Sequence, residues 1–343
     1  MPRQSHDSLL RGLLRDVSRS FYLSLRILPR DLRAPVGLAY LLARAADTVA
    51  DTRLIARDAR LAHLETLRRA FAGTPVDVAG AIAACRPHQG KAAEATLLTR
   101  LPEAVAELER LDAPDRAAVR GVLATLTSGM VFDLATFPGE DAAHVTALGT
   151  RADLDRYVYL VAGCVGEFWT VIHAAHRPRL ARWDVAAMST NGVRFGKALQ
   201  MTNVLRDVPS DLRQGRCYLP ADELAAHGLA PADLLDPSAM PKLRPLYEAL
   251  LELADAHYHA GWRYTLAIPR REWRMRLACA WPLLIGEATL AMLRRHDNPL
   301  AATTPVKIPR ARVRALLTHS IAAVWSNRAL AAEATRARGA PAR

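Results

Sequence analysis

Asp47 and Asp51 lie four residues apart in LAYLLARAADTVADT, and Asp207 and Asp211 repeat the spacing in KALQMTNVLRDVPSDLRQGRCYLP. On a helix, residues four apart stand one turn above one another on the same face. Two like charges so placed destabilise an isolated helix by roughly 0.2–0.5 kcal/mol, and a cation between them removes that cost. The first face continues backward through Arg44 and Tyr40. Its neighbours Leu41, Leu42, Ala43, Ala45, Ala46, Val49 and Ala50 are apolar, so the carboxylates are expected to point into a cavity. The second stripe carries Gln200, Asn203, Asp207 and Asp211 with Arg206 alongside, while Leu199, Val204 and Leu205 can face a core. Hard oxygen ligands without His or Cys suit magnesium, which keeps several waters and completes its shell with phosphate oxygens. One Asp-x-x-x-Asp alone reads as a solvated helix face. Two copies, each in an apolar helix with an arginine, point to a diphosphate held by metal and by guanidinium forks. Pro209 lacks an N–H, so the second helix is expected to end near Val208 or to kink there, which leaves Asp211 less secure than Asp207.

The elements that position these residues read as helices. Apolar residues recur at three- and four-residue spacing over 35–53, 92–111, 155–176, 196–205, 245–264 and 274–295. Prolines 29, 87, 102, 114, 138, 220, 231, 237, 241, 299 and 305 punctuate them. Alternating strand patterns are scarce, and no repeat of solenoid period occurs. With no Pro/Gly/Ser-rich linker, one helical domain is expected over residues 8–330, followed by an Ala/Arg-rich tail over 331–343 that frays.

At 343 residues and 51% hydrophobic, the chain can bury a large core. Cys85, Cys164, Cys217 and Cys279 form no C-x-x-C pair, which fits a reducing compartment. The N-terminus has no unbroken apolar stretch of signal-peptide type, and charges interrupt later apolar runs before the ~20 residues of a spanning helix; Glu287 interrupts 277–293. A cytoplasmic, monomeric protein is the expectation. The net charge of +12 permits nucleic acid, an anionic membrane or a polyanionic small substrate as partner. The arginines are spread along the chain without a clustered basic face or aromatic interleaving, which argues against nucleic acid. Salt-sensitive peripheral association with an anionic membrane is expected, each well-placed basic residue contributing ~1 kcal/mol.

The ordered set Ser18-Arg19-Ser20-Phe21, Arg44-x-x-Asp47-x-x-x-Asp51, Asp155-Arg156-Tyr157 with Val161-Ala162-Gly163, Gln200-x-x-Asn203-x-x-Arg206-Asp207 and Gly215-Arg216-x-Tyr218-Leu219-Pro220 resembles the squalene and phytoene synthase family over nearly the whole chain. That resemblance implies an all-α, single-domain isoprenoid-synthase bundle around a prenyl-chain cavity. It implies magnesium on Asp47, Asp51, Asp207 and Asp211, with Tyr157, Arg44, Arg206 and Phe21 as catalytic residues. Ser18, Arg19, Ser20, Tyr40, Gln200, Arg216 and Tyr218 would bind substrate, two molecules of farnesyl diphosphate. Asn203 is carried over as a cofactor-binding position. Tyr157 would take part in the proton loss that closes a cyclopropane; an unperturbed phenol, with a pKa near ~10, relays a proton better than it accepts one alone. Gly163 and Gly166 serve either close helix packing or room for an isoprenoid.

Within that family the reductive step to squalene needs a nicotinamide cofactor, and no G-x-G-x-x-G follows a strand here. The stretch Val306-Lys307-Ile308-Pro309-Arg310 resembles the segment associated with NADPH in squalene synthases, with Lys307 matching and Arg310 displaced by one position. Ala46-Asp47-Thr48-Val49 also leans toward the squalene type. Ala50 and Ser210 depart from acidic residues common in the family. The expectation is squalene synthase. Phytoene or dehydrosqualene synthase without reduction is the enzymatic alternative, and a non-catalytic prenyl-diphosphate-binding subunit is the alternative of another class.

Overall fold

The three- and four-residue apolar periodicity folds as helix almost throughout. The computed structural model describes residues 8–18 and 22–339; Arg19, Ser20 and Phe21 lie outside them. The chain divides into two compact units, Met1–Leu134 with Phe168–Ala181, and Ala135–Glu167 with Arg182–Arg343.

In the first unit a π-helical turn, Ser8–Leu13, leads into α1 (Leu14–Ser18), α2 (Tyr22–Ile27), α3 (Arg30–Ala50), α4 (Arg57–Phe71), α5 (Ala79–Cys85), α6 (Ala92–Thr99), α7 (Leu101–Arg110) and α8 (Ala113–Thr136). The buried stripe of α3 is Leu38, Leu41, Leu42, Ala45, Ala46 and Val49, and it packs on α4 and α7. Arg60 of α4, fully buried, donates from Nη1 to the Ala50 carbonyl at 3.0 Å. A cation thus satisfies the negative end of the helix that carries the first acidic pair. The single helix expected over 92–111 is two, because Pro102 enters the first turn of α7 and the break falls at Arg100.

In the second unit, β1 (Thr146–Ala147) precedes α9 (Arg151–Val158), a π-helical turn Tyr159–Gly163, and α10 (Cys164–His176), which runs on into the first unit. Thr150 and Asp153 form a capping box that starts α9. Then follow α11 (Val185–Leu212), β2 (Arg216–Cys217), α12 (Ala221–Ala226), α13 (Met240–Ala267), α14 (Trp273–Arg295), α15 (Arg310–Ala323) and α16 (Asn327–Ala337). The core of this unit is α11 against α13, with Met201, Val204 and Leu205 buried on the one and Leu243, Leu246, Leu250, Leu251 and Ala254 on the other. β1 and β2 pair in parallel, Thr146 opposite Arg216 and Ala147 opposite Cys217.

Three helical stretches among the described residues are long and apolar enough to cross a membrane by length and composition: Ala113–Thr136, Arg151–His176 and Arg270–Arg295, buried over 33%, 39% and 78% respectively. The expectation that charges interrupt every such run is thereby corrected, since one or two charges in a long apolar helix do not disqualify it. The four cysteines are buried free thiols.

Helix continues through Ala337, into the stretch expected to fray, and Glu333, Ala334 and Ala337 of α16 are buried. The anchor is Glu287 of α14, 1% exposed, which accepts from Trp262 Nε1 at 2.9 Å and from Arg338 Nε at 3.0 Å. Burial pushes the Glu287 carboxyl up from 4.5 to about 7 against the pull of Arg338 and Trp262. Between those values the folded state holds a proton that the unfolded state has lost, so this group's contribution to stability falls as pH rises from 4.5 to about 7. Thermal melts across that range should show the slope in the wild type and a flatter profile in Glu287→Gln.

Candidate active site

Arg44, near the C-terminal end of α3, is held between two acids. Its Nη1 donates to Asp47 at 2.5 Å and its Nη2 to Glu94 of α6 at 2.6 Å; Lys91 Nζ reaches the same Glu94 oxygen at 3.0 Å. Burial disfavours the Glu94 anion, but the hydrogen bonds from Lys91 and Arg44 hold its carboxyl below the ordinary range. Asp51 caps α3, its amide donating to the Asp47 carbonyl at 2.9 Å. A cavity of about 370 Å³ opens here, and Arg44, Asp51, Arg53, His88, Lys91 and Glu94 are among its walls. Asp47 is not among them.

The Asp47 carboxyl is pushed up to about 7, first by surrounding bulk, then by Asp51, with Glu94 and Asp133 adding to the shift and Arg44 opposing it. Its side chain nevertheless keeps 40% of its surface. It is walled in by protein and still wetted, which suits a ligand-facing carboxylate. Acids outnumber bases around Asp47, and their donor atoms are all hard oxygens, so a divalent cation fits this place. Among the described residues no group of three or more His, Cys, Asp or Glu stands in metal-holding geometry. A magnesium ion on one aspartate pair would therefore draw its remaining ligands from water and from a phosphate.

Tyr40 donates its hydroxyl to the Val17 carbonyl at 3.4 Å. The Ser18 hydroxyl, expected to meet substrate, donates to the Leu14 carbonyl at 2.5 Å, and the residue is 1% exposed.

In the second unit, backbone proximity sets the geometry. A Cβ on Gly166 would strike the Gly192 carbonyl, and one on Gly196 would strike that of Ala162. The π-helical turn and the start of α10 thus lie against α11 with no side chain between, so the glycines serve close packing here. Tyr157, one turn earlier, then comes beside the polar stripe of α11: Gln200 Nε2 donates to its hydroxyl at 3.5 Å, and Asn203 Nδ2 donates to Gln200 Oε1 at 3.2 Å. The Tyr157 ring stacks on Tyr218 at 4.5 Å, and Phe137 meets Tyr218 edge-on at 5.0 Å. Tyr218 is placed by the β1–β2 pair and by Gly215, whose φ of +78° and nearness to the Gly139 carbonyl exclude a side chain.

Arg206 forks onto its neighbour Asp207, with Nε to Oδ1 at 2.9 Å and Nη2 to Oδ2. The helix neither ends nor loses register at Val208; α11 runs to Leu212 with Pro209 inside it. Proline leaves the Leu205 carbonyl without its helical donor. Tyr247 of α13, 1% exposed, fills the vacancy by donating its hydroxyl to that carbonyl at 3.0 Å. Asp211, half-buried, consequently keeps its helical place one turn beyond Asp207. Arg216 is half-buried on β2. Lys307 lies exposed in the loop after the 3-10 turn Pro299–Ala301, and Arg310, also exposed, opens α15.

The model of the squalene/phytoene synthase family matches residues 14–312. The chain belongs to that family. A phytoene synthase of Thermus thermophilus is 31% identical over 255 residues, 74% of this chain and 72% of that protein. A presqualene diphosphate synthase of Zymomonas mobilis is 28% identical over 248 residues, 71% of this chain and 70% of that protein. The solved complex of TcSQS with the ligand E5700 has the same fold, with a TM-score of 0.76 at 22% identity over 98% of this chain and 90% of that one. Membership makes the protein an all-α head-to-head prenyltransferase acting on prenyl diphosphates.

Sequence reading missed four residues. Glu94 and Asp133 crowd Asp47 from other helices. Lys197, one turn before Gln200 and 12% exposed, pairs with Asp155 at 2.6 Å and faces the Tyr159 ring at 5.9 Å. Its place on the Gln200 stripe was a usable signal; for Glu94 and Asp133 there was none. Tyr247 is the fourth. Tyr247→Phe leaves a buried carbonyl unpaired and should destabilise the protein by ~1–3 kcal/mol. In a Pro209→Ala background, where residue 209 regains its N–H, chemical denaturation should show a smaller loss.

Proposed function

We propose that this chain joins two farnesyl diphosphates head to head to give presqualene diphosphate, and completes the reaction to squalene with NADPH. The observation that carries the condensation is that each unit has an acidic helical end with its own arginine, and that in the second unit a tyrosine hydroxyl meets the polar stripe. Asp47 and Asp51 would hold magnesium on one helix, and Asp207 and Asp211 on the other. Magnesium supplies charge neutralisation for a leaving diphosphate. Arg44 and Arg206, already oriented on carboxylates, offer N–H forks to the remaining phosphate oxygens. As the C1–O bond of the donor breaks, the double bond of the second farnesyl group attacks the allylic cation, and loss of a proton from that group closes the cyclopropane. Tyr157 hands this proton on toward the departing diphosphate, its hydroxyl kept in place by Gln200 and its ring by Tyr218. The apolar, incompletely buried face of α8, including Met130, Val131 and Phe132, offers a surface of the kind a prenyl chain covers.

The reductive completion is supported by Lys307 and Arg310, with the squalene-type Ala46-Asp47-Thr48-Val49 as a further leaning. A second reading, phytoene synthase using geranylgeranyl diphosphate without reductant, is favoured by the similarity to the Thermus thermophilus phytoene synthase. We also read residues 8–330 as one catalytic domain, and the protein as a monomer in peripheral, salt-sensitive contact with the cytoplasmic face of an anionic membrane.

Purified protein given farnesyl diphosphate and magnesium should accumulate presqualene diphosphate, and squalene once NADPH is added. Presqualene diphosphate in both cases would remove the reductive step and leave the condensation standing. Phytoene from geranylgeranyl diphosphate, with farnesyl diphosphate unused, would establish the second reading. Asp47→Asn and Asp207→Asn should each lower kcat at least about a hundredfold, the scale of losing several kcal/mol of charge stabilisation. Lys307→Ala should raise the KM for NADPH and spare presqualene diphosphate formation.

A further inference from the structure

We propose that the corner between α15 and α16, together with the start of α14, is the face that docks on an anionic lipid bilayer. The proposal locates the membrane contact inferred above and rests on that reading. Trp325 and Ile321 are 53% and 52% exposed, and Trp325 follows Val324, whose 1% exposure fixes the corner to the core. The Trp325 ring lies 6.1 Å from that of Trp273, and Arg274 stands 5.1 Å over the Trp273 ring. Arg314 shares a helical face with Ile321, seven residues on, and Arg328 opens the next helix; both are exposed.

The charge around this patch has one sign. Between Asp297 and Glu333 the chain has five Lys and Arg and no Asp or Glu. Within the patch, Glu272 and Glu333 are buried, and Glu333 pairs with Arg336 at 2.9 Å. Exposed indole and aliphatic groups rimmed by guanidinium groups match a bilayer interface. Tryptophan settles at the headgroup level, with its ring in the apolar boundary and its N–H wet, while arginines draw anionic headgroups. The enzyme's prenyl substrates are amphiphiles, so a docked face brings the protein to where they dissolve.

Binding is read by co-sedimentation with phosphatidylcholine vesicles with and without phosphatidylglycerol, at low and high salt, in the absence of substrate. The wild type should bind the phosphatidylglycerol vesicles at low salt and release at high salt. Ile321→Ser/Trp325→Ser and Arg314→Glu/Arg328→Glu should each weaken binding about tenfold or more, with melting temperature and prenyl condensation in detergent kept. Leu235→Ser, at another exposed apolar side chain, should bind as the wild type does. Wild-type-like binding by both double variants, or no binding by the wild type at low salt, overturns the proposal. So does a loss of self-association in sedimentation velocity with vesicle binding intact, which would make the corner a contact between copies. Because no substrate is present, an incorrect product assignment does not alter the outcome, and a failure to bind does not touch the condensation.

Discussion

Backbone contact between the π-helical turn before α10 and the middle of α11 is the constraint on which the second acidic stripe depends. Gly166 against the Gly192 carbonyl, and Gly196 against that of Ala162, leave no room for a methyl group. A wider crossing would carry Tyr157 away from Gln200, already at 3.5 Å. The opposite side of α11 is fixed by apolar packing on α13 and by two buried hydroxyls of that helix, Tyr247 on the Leu205 carbonyl and Tyr258 with Thr202 at 2.8 Å. Held on both sides, α11 can carry a charged stripe whose own electrostatics oppose its order. The π-turn belongs to the same device: an inserted residue shifts the helical phase between Tyr157 and Gly166, letting one face stack on Tyr218 and the other meet α11.

Each acidic segment carries the counter-charge for its own resting state. Arg44 joins Asp47 to Glu94, and Arg206 forks onto Asp207. In water such pairs contribute little, but here the guanidinium groups are only 24% and 28% exposed. At Asp47 the work is electrostatic: Arg44 draws the carboxyl down against burial, Asp51, Glu94 and Asp133, which still push it up to about 7. A metal–diphosphate pair, bound as proposed, would bring both signs together. The carboxylates can turn to the cation and the arginines to the anion, with neither left unpaired. A strongly basic chain and an acidic centre are compatible for this reason.

The local patterns were legible because their physics is local. Three- and four-residue periodicity announced α3, α11, α13 and α14, and Asp-x-x-x-Asp spacing announced both acidic faces. What failed to show was tertiary. Pro209 signals a helix end in any local reading, and the helix persists because a hydroxyl 38 positions further along stands in for the missing N–H. Glu94 reaches Arg44 across 50 residues with no spacing rule to betray it. Two of the crossings between the units, at 134/135 and 167/168, pass through continuous helix, where no linker composition marks them; the third, at 181/182, falls in a turn. The tail over 331–343 looked featureless because its anchor, Glu287, lies in a different helix.

The four aspartates themselves do not distinguish a fifteen-carbon from a twenty-carbon donor, or a reduced from an unreduced product, since every such reaction begins with the same loss of diphosphate. Discrimination has to come from the walls that meet the chains and from the path of the hydride. Lys307 and Arg310 are exposed on and beside a loop, which suits the phosphate end of a dinucleotide, the part that stays hydrated. The nicotinamide end has the opposite need, because a carbocation awaiting hydride is captured by any water that reaches it. The loop over 302–309 supplies the first condition and not the second. A reductive enzyme built on this chain therefore requires apolar walls of its own to keep the ring and the cation dry, and a non-reductive one does not.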